Sequence, residues 1–173
     1  MPDSETKHLD DSAALNHAWQ IYRNVQELIR YADQKVHVSL ALSAVVTTFA
    51  LANLPQAKDA GRVALTMLVL LGVAQAAFLA FALGALFARR DARTGGAVRR
   101  LVYFGHIVRF KEPAEYVREF RSVTPAEAVD DVAYQIYEVS CIAGKKFANY
   151  RRAWCALVVE IVLLVALAIA LEF

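Results

Sequence analysis

The sequence predicts an all-α integral membrane protein with three transmembrane helices, the first and third extended into the cytosol as a helical stalk. Three observations carry that expectation. Residues 38–54, 63–88 and 153–171 are apolar runs close to or above the ~20 residues an α-helix needs to cross a hydrocarbon core. The first two runs contain no Asp, Glu, Lys or Arg, and the third contains only Glu160. Composition agrees, with 58% hydrophobic and 21% charged residues. Upstream of the first and third runs, apolar residues recur at alternating intervals of three and four, the signature of helices that pack along a seam.

The elements follow in order. Residues 1–11 form a polar leader with Asp3, Glu5, Asp10 and Asp11, with neither a basic region nor a cleavage motif, so the first run is expected to be retained as a span. Residues 12–54 read as one helix, capped by Asp11 or Ser12, with a cytosolic seam of Leu15, Ala18, Tyr22, Val25, Ile29, Ala32 and Val36. Arg23, Asn24, Glu27, Arg30 and Gln34 fall on its other faces. Residues 55–62 are expected as an external loop and 63–88 as the second span. A basic, aromatic cytosolic segment occupies 89–124, interrupted by Gly95-Gly96, with a short helix after Pro113. Thr124-Pro125-Ala126-Glu127 joins a capping box to Pro at the first helical position, opening a long helix over 125–171. Val129, Val132, Ile136, Val139 and Ala143 form its seam, and Gly144 is a candidate hinge before the third span.

Charge sets the expected orientation. Lys and Arg number four in residues 1–37, two between the first two spans, and thirteen in residues 89–152. Basic residues stay on the cytoplasmic side, which places the N-terminus inside and the C-terminus outside. Cys141 and Cys155, on one helix, stand about 21 Å apart along its axis and cannot pair. No CxxC, Cys/His cluster or helical His pair suggests a metal, and no catalytic fingerprint is present. Neither an enzyme nor a nucleic-acid partner is expected.

Glu160 is the sharpest single residue, because an ionisable group near mid-bilayer costs ~2.5–3.5 kcal/mol on insertion scales and turns toward a bundle interior or an aqueous path. It reads either as a gating residue in a homo-oligomer or as a helix-packing residue bonded to Gln75. Small and hydroxyl side chains (Ser39, Ser43, Thr47, Thr48, Gly72, Gly84) permit close helix contacts. Arg99, Arg100, Arg109, Lys111, Arg118 and Arg121, interleaved with Tyr103, Phe104, His106 and Phe110, offer guanidinium groups for phosphate and rings for stacking. Candidate ligand contacts on chemical grounds are Arg99, Phe104, His106 and Arg109, with Tyr134 and Lys145 on the last helix. The bland reading of the same basic segment is contact with lipid head groups.

Three stretches then acquire meaning through their order: Asp33-Gln34-Lys35 before the first span, Tyr103-Phe104-Gly105-His106-Ile107 with Tyr116 after the second, and Gln135-Ile136-Tyr137 leading to Lys146 and a basic pair at the third. This arrangement, over roughly residues 25–165, resembles the transmembrane effectors of Pycsar antiphage systems. The resemblance implies a partner pyrimidine nucleotide cyclase and an activating ligand, cyclic CMP or cyclic UMP. It further implies residence in the bacterial inner membrane, whose integrity the effector impairs in abortive infection. The competing expectation is a constitutive structural or adaptor subunit of a membrane complex with no nucleotide ligand.

Overall fold

Local chemistry at the helix ends sets the elements of the computed structural model, which describes residues 10–59, 61–88, 101–102 and 104–172. The first helix, α1 (Asp11–Ala52), starts where the Asp10 carbonyl accepts from the Ala14 amide at 2.9 Å and the Ser12 hydroxyl donates to the Asp10 carboxylate at 2.6 Å. The cap thus sits at Asp10, one residue before the expected position. Residues 55–62, expected as a loop, contain most of a short helix, α2 (Leu54–Asp59), because Pro is tolerated in a first helical turn. Gly61, at φ +97°, then turns the chain into α3 (Arg62–Leu86), in a region of backbone space that side-chain-bearing residues rarely adopt.

After α4 (Phe104–Ile107), Pro113 opens α5 (Pro113–Arg121), and α6 (Pro125–Glu172) completes the chain. Its start is a formed capping box. The Thr124 amide donates to Glu127 Oε2 at 2.9 Å, and the Glu127 amide returns a bond to Thr124 Oγ1 at 3.3 Å. Among the described residues 90% are helical and no strand occurs. Three of the helices, α1, α3 and α6, are long and apolar enough to cross a membrane.

The chain divides into two compact units, the first built from Met1–Leu28 and Arg90–Ile142, the second from Ile29–Arg89 and Ala143–Phe173. In the second unit, α1, α3 and α6 pack through small and aliphatic residues. Val36, Phe78, Ala82, Ala85, Ala153 and Leu157 form one buried cluster, Val46, Ala50 and Leu71 a second, and Ala57, Ala64 and Leu167 a third. Gly84 sits where an added Cβ would come within 3.1 Å of the Asn149 side chain, so glycine lets α3 and α6 approach closely there. Gly72, in contrast, faces open space and takes no part in helix packing.

The outer surface of this unit is inverted relative to a water-soluble protein. Val38 is 70% exposed, Val45 66% and Val63 65%, with Leu51, Val73 and Val162 similarly open. Contiguous apolar surface of this kind has no stable contact with water, whereas lipid tails cover it without cost.

The first unit obeys ordinary rules. On α1, Ala18 is buried and Leu15, Tyr22 and Val25 are half-buried, while Arg23, Asn24 and Glu27 are exposed. On α6, Val132 and Val139 are buried, with Val129 and Ile136 half-buried.

Candidate functional site

The three-four seam explains which polar residues become structural. Extended beyond Val36, it continues through Ser39, Ser43, Val46 and Ala50, all buried. On α6 it runs from Val139 through Ala143, Lys146, Ala153 and Leu157 to Glu160, again all buried. Polar side chains at such positions must find partners or carry a penalty of roughly 1–3 kcal/mol each.

Lys146 finds Asp33. Its ammonium stands 2.5 Å from Asp33 Oδ1 and also donates to the Leu86 carbonyl at 3.4 Å. The second contact places a cation on the last turn of α3, where free carbonyls and the helix dipole favour positive charge. One side chain of α6 thereby fastens α1 and the end of α3. Near this clasp, the Lys35 ammonium lies 4.3 Å from the Tyr31 ring centre and Arg152 stands 5.9 Å from that of Phe81.

A polar layer lies deeper in the same unit, between the clusters around Phe78 and Leu71. The Ser43 hydroxyl is 3.1 Å from Glu160 Oε2 and 3.0 Å from Gln75 Oε1, and Thr47 Oγ1 donates to Gln75 Oε1 at 2.9 Å. Gln75 and Glu160, expected as a direct pair, are instead bridged by Ser43. Glu160 is completely buried, and its Oε1 has no hydrogen-bond partner among the described residues. The layer thus joins all three helices while leaving one acceptor without a partner among the described residues, which makes it less stable than a fully paired network.

The first unit holds a cavity of about 380 Å³. Leu15 and Trp19 of α1, Phe120 of α5, Val132 of α6 and Val123 between α5 and α6 supply its apolar walls, with Leu101 and Val102 along another side. Glu127, Asp130 and Asp131 from the first turns of α6 supply its acidic part. Asp131, only 6% exposed, accepts from the Leu101 amide at 2.8 Å and the Val102 amide at 3.1 Å through one oxygen. The Tyr116 hydroxyl donates to the Leu101 carbonyl at 3.2 Å and its ring meets Phe110 edge-on, with centroids 5.5 Å apart. Asp131 is thus the tether of the 101–102 segment.

Of the sequence-predicted contacts among the described residues, His106, Arg109, Tyr134 and Lys145 do not line this cavity. Arg99 lies outside the described residues, as does the side chain of Phe104, which opens α4. His106 is half-buried on α4, and Arg109, just after it, is exposed, its amide bonded to the His106 carbonyl at 3.1 Å. Tyr134 is half-buried in the first unit, while Lys145 is exposed and belongs to the second. Gly144 is exposed within an unbroken α6, and an added Cβ would meet nothing within 4 Å.

These features define a class: a helical membrane protein in which a lipid-facing bundle with an internal polar layer shares two helices, α1 and α6, with a unit holding a cavity of small-molecule size. The particular family follows from comparison. A family model, the Pycsar effector protein domain, matches residues 17–172, and the chain belongs to this family of antiphage transmembrane effectors. Members are downstream effectors within a system that includes a cyclase. No curated protein and no solved structure matches the chain.

Proposed function

We propose that the protein senses a cyclic pyrimidine nucleotide, cyclic CMP or cyclic UMP, with its first unit on the cytosolic side, and responds by impairing the bacterial inner membrane through its second. The effector family carries the reading of the chain as a signalling end point. The single structural observation that supports a membrane-damaging output is Glu160, wholly buried in an otherwise apolar span with one carboxylate oxygen unsatisfied.

The sensing step requires that ligand favour one of two packings, because only differential affinity shifts a population. Helices α1 and α6 contribute residues to both units. A change in how their seams pack in the first unit therefore has a covalent route to Ser43 and Glu160 in the second. Repacking that separates Ser43 from Glu160 exposes an ionisable group to its neighbours, and several protomers then either line an aqueous path or distort the bilayer together. The basic segment around Arg109, Arg118 and Arg121 meets the ligand phosphate. The thirteen basic residues of 89–152 support an N-in, C-out orientation.

The test is nucleotide-dependent leakage from liposomes containing the purified protein, with cyclic CMP, cyclic UMP, cyclic AMP and cyclic GMP supplied separately. Release with a pyrimidine nucleotide and not with purines is the expected result. Stable insertion with neither binding nor leakage for any of the four would leave a structural subunit as the better account.

A further inference from the structure

The cavity in the first unit has aromatic walls and an acidic polar portion, an unusual combination for a protein expected to bind an anion. Trp19 presents its indole from α1 and is held by an edge-on contact with Tyr22, centroids 5.6 Å apart and planes at 89°. Phe120 faces the same space from α5. At about 380 Å³ the cavity falls within the range of small-ligand sites, toward its lower end.

Its charged lining residues are Glu127, Asp130 and Asp131, and no Lys or Arg lines it among the described residues. Among the described lining residues, a phosphate entering this space would meet carboxylates and no counter-charge. A neutral, flat, aromatic ring would meet stacking surfaces and hydrogen-bond acceptors. The chemistry therefore orients a nucleotide with its base inward and its phosphate out.

We infer that this cavity receives the nucleobase of the activating ligand and selects cytosine over uracil, with Asp130 accepting from the exocyclic amino group. The inference rests on the proposed sensing of a cyclic pyrimidine nucleotide and assigns it a place and a preference. Ionised carboxylates only accept hydrogen bonds. Cytosine presents a donor, the N4 amino group, where uracil presents the acceptor O4, and carboxylate recognition of the cytosine amino group follows from that difference. Glu127 and Asp131 already bind backbone amides, the first in the capping box and the second at Leu101 and Val102, which holds them in place. Asp130 is exposed and makes no hydrogen bond or ion pair among the described residues, so it is the acceptor whose geometry can adjust to a ligand.

Calorimetric titration of the full-length protein in detergent micelles with cyclic CMP and cyclic UMP tests this. Wild type is expected to bind cyclic CMP about tenfold or more tightly than cyclic UMP, the scale of one well-placed base-edge contact. Asp130→Asn, whose amide both donates and accepts, is expected to bring the two affinities within about threefold. Trp19→Leu is expected to weaken both by about tenfold while keeping the preference, since stacking is tolerant of base identity. Equal or reversed preference in wild type, or a preference that survives Asp130→Asn, overturns the assignment while leaving nucleotide sensing intact. Absence of binding for both nucleotides in wild type overturns the sensing proposal and this assignment together.

Discussion

Lys146 stands at a seam position that its neighbours on α6 fill with Ala143 and Ala153, and Asp33 makes that possible. Truncating Lys146 to Ala removes an almost buried charge from a carboxylate that is itself one-third exposed. The expected loss is roughly 1–3 kcal/mol, the range for a hydrogen-bonded charged group. Asp33→Ala leaves the lysine with only the Leu86 carbonyl as partner, at a similar cost. The double variant should be less destabilised than the sum of the two, with a coupling of about 0.5–3 kcal/mol in thermal melts in detergent. Strict additivity would mean the contact contributes nothing in solution. Asp131→Ala frees the Leu101 and Val102 amides, and hydrogen exchange at those two positions should accelerate while exchange in α3 stays unchanged. Sequence reading recognised Glu160 as a residue in need of a partner but named Gln75, because only the packed helices reveal Ser43 between them. Asp131 was harder still. Its partners are backbone amides some thirty positions away, and amides carry no side-chain signature.

Elements were far more legible than contacts. Length and apolarity alone located the three spans, and the Thr124 to Glu127 capping box marked the start of α6 at its true position. Periodicity identified the packing faces of α1 and α6, since all seven predicted seam residues of α1 are buried or half-buried. Continuing that period through the spans would also have singled out Ser43, Lys146 and Glu160 as seam residues obliged to find partners. Short α2 escaped because Pro55 reads as the end of the first helix and 55–62 as an external loop. Two substitutions probe the long helices. Gly144→Ala places a methyl group in open space and should stabilise α6 by about 1 kcal/mol. If α6 bends there during activation, the same change reduces leakage at saturating ligand. Glu160→Leu removes the unsatisfied acceptor and should raise stability by about 1–3 kcal/mol. Its effect on leakage separates roles: abolished release marks Glu160 as part of the effector step, whereas unchanged release marks it as packing alone.

For the molecule as a whole, the sequence conveyed membrane residence and family, while the cavity was invisible to it. The residues lining the cavity come from α1, α5, α6 and the 101–102 segment, and their types in isolation suggest only core and cap. Basic and aromatic residues drew attention to 99–110 instead, and these supply an exposed Arg109 outside the cavity lining. Arg109→Ala should weaken nucleotide binding by about tenfold if the guanidinium meets the phosphate, comparable to one charge-assisted hydrogen bond, with membrane insertion unaffected. Unchanged affinity would remove Arg109 from the proposed site. The account's central claim is that ligand binding to the first unit repacks the polar layer around Glu160 in the second. Dye release from liposomes carrying the full-length protein tests this most directly, with cyclic CMP, cyclic UMP, cyclic AMP and cyclic GMP compared in parallel. The account predicts release with a pyrimidine nucleotide and silence with both purines. Release that is independent of nucleotide, or bilayers that stay tight although nucleotide binds, would contradict it.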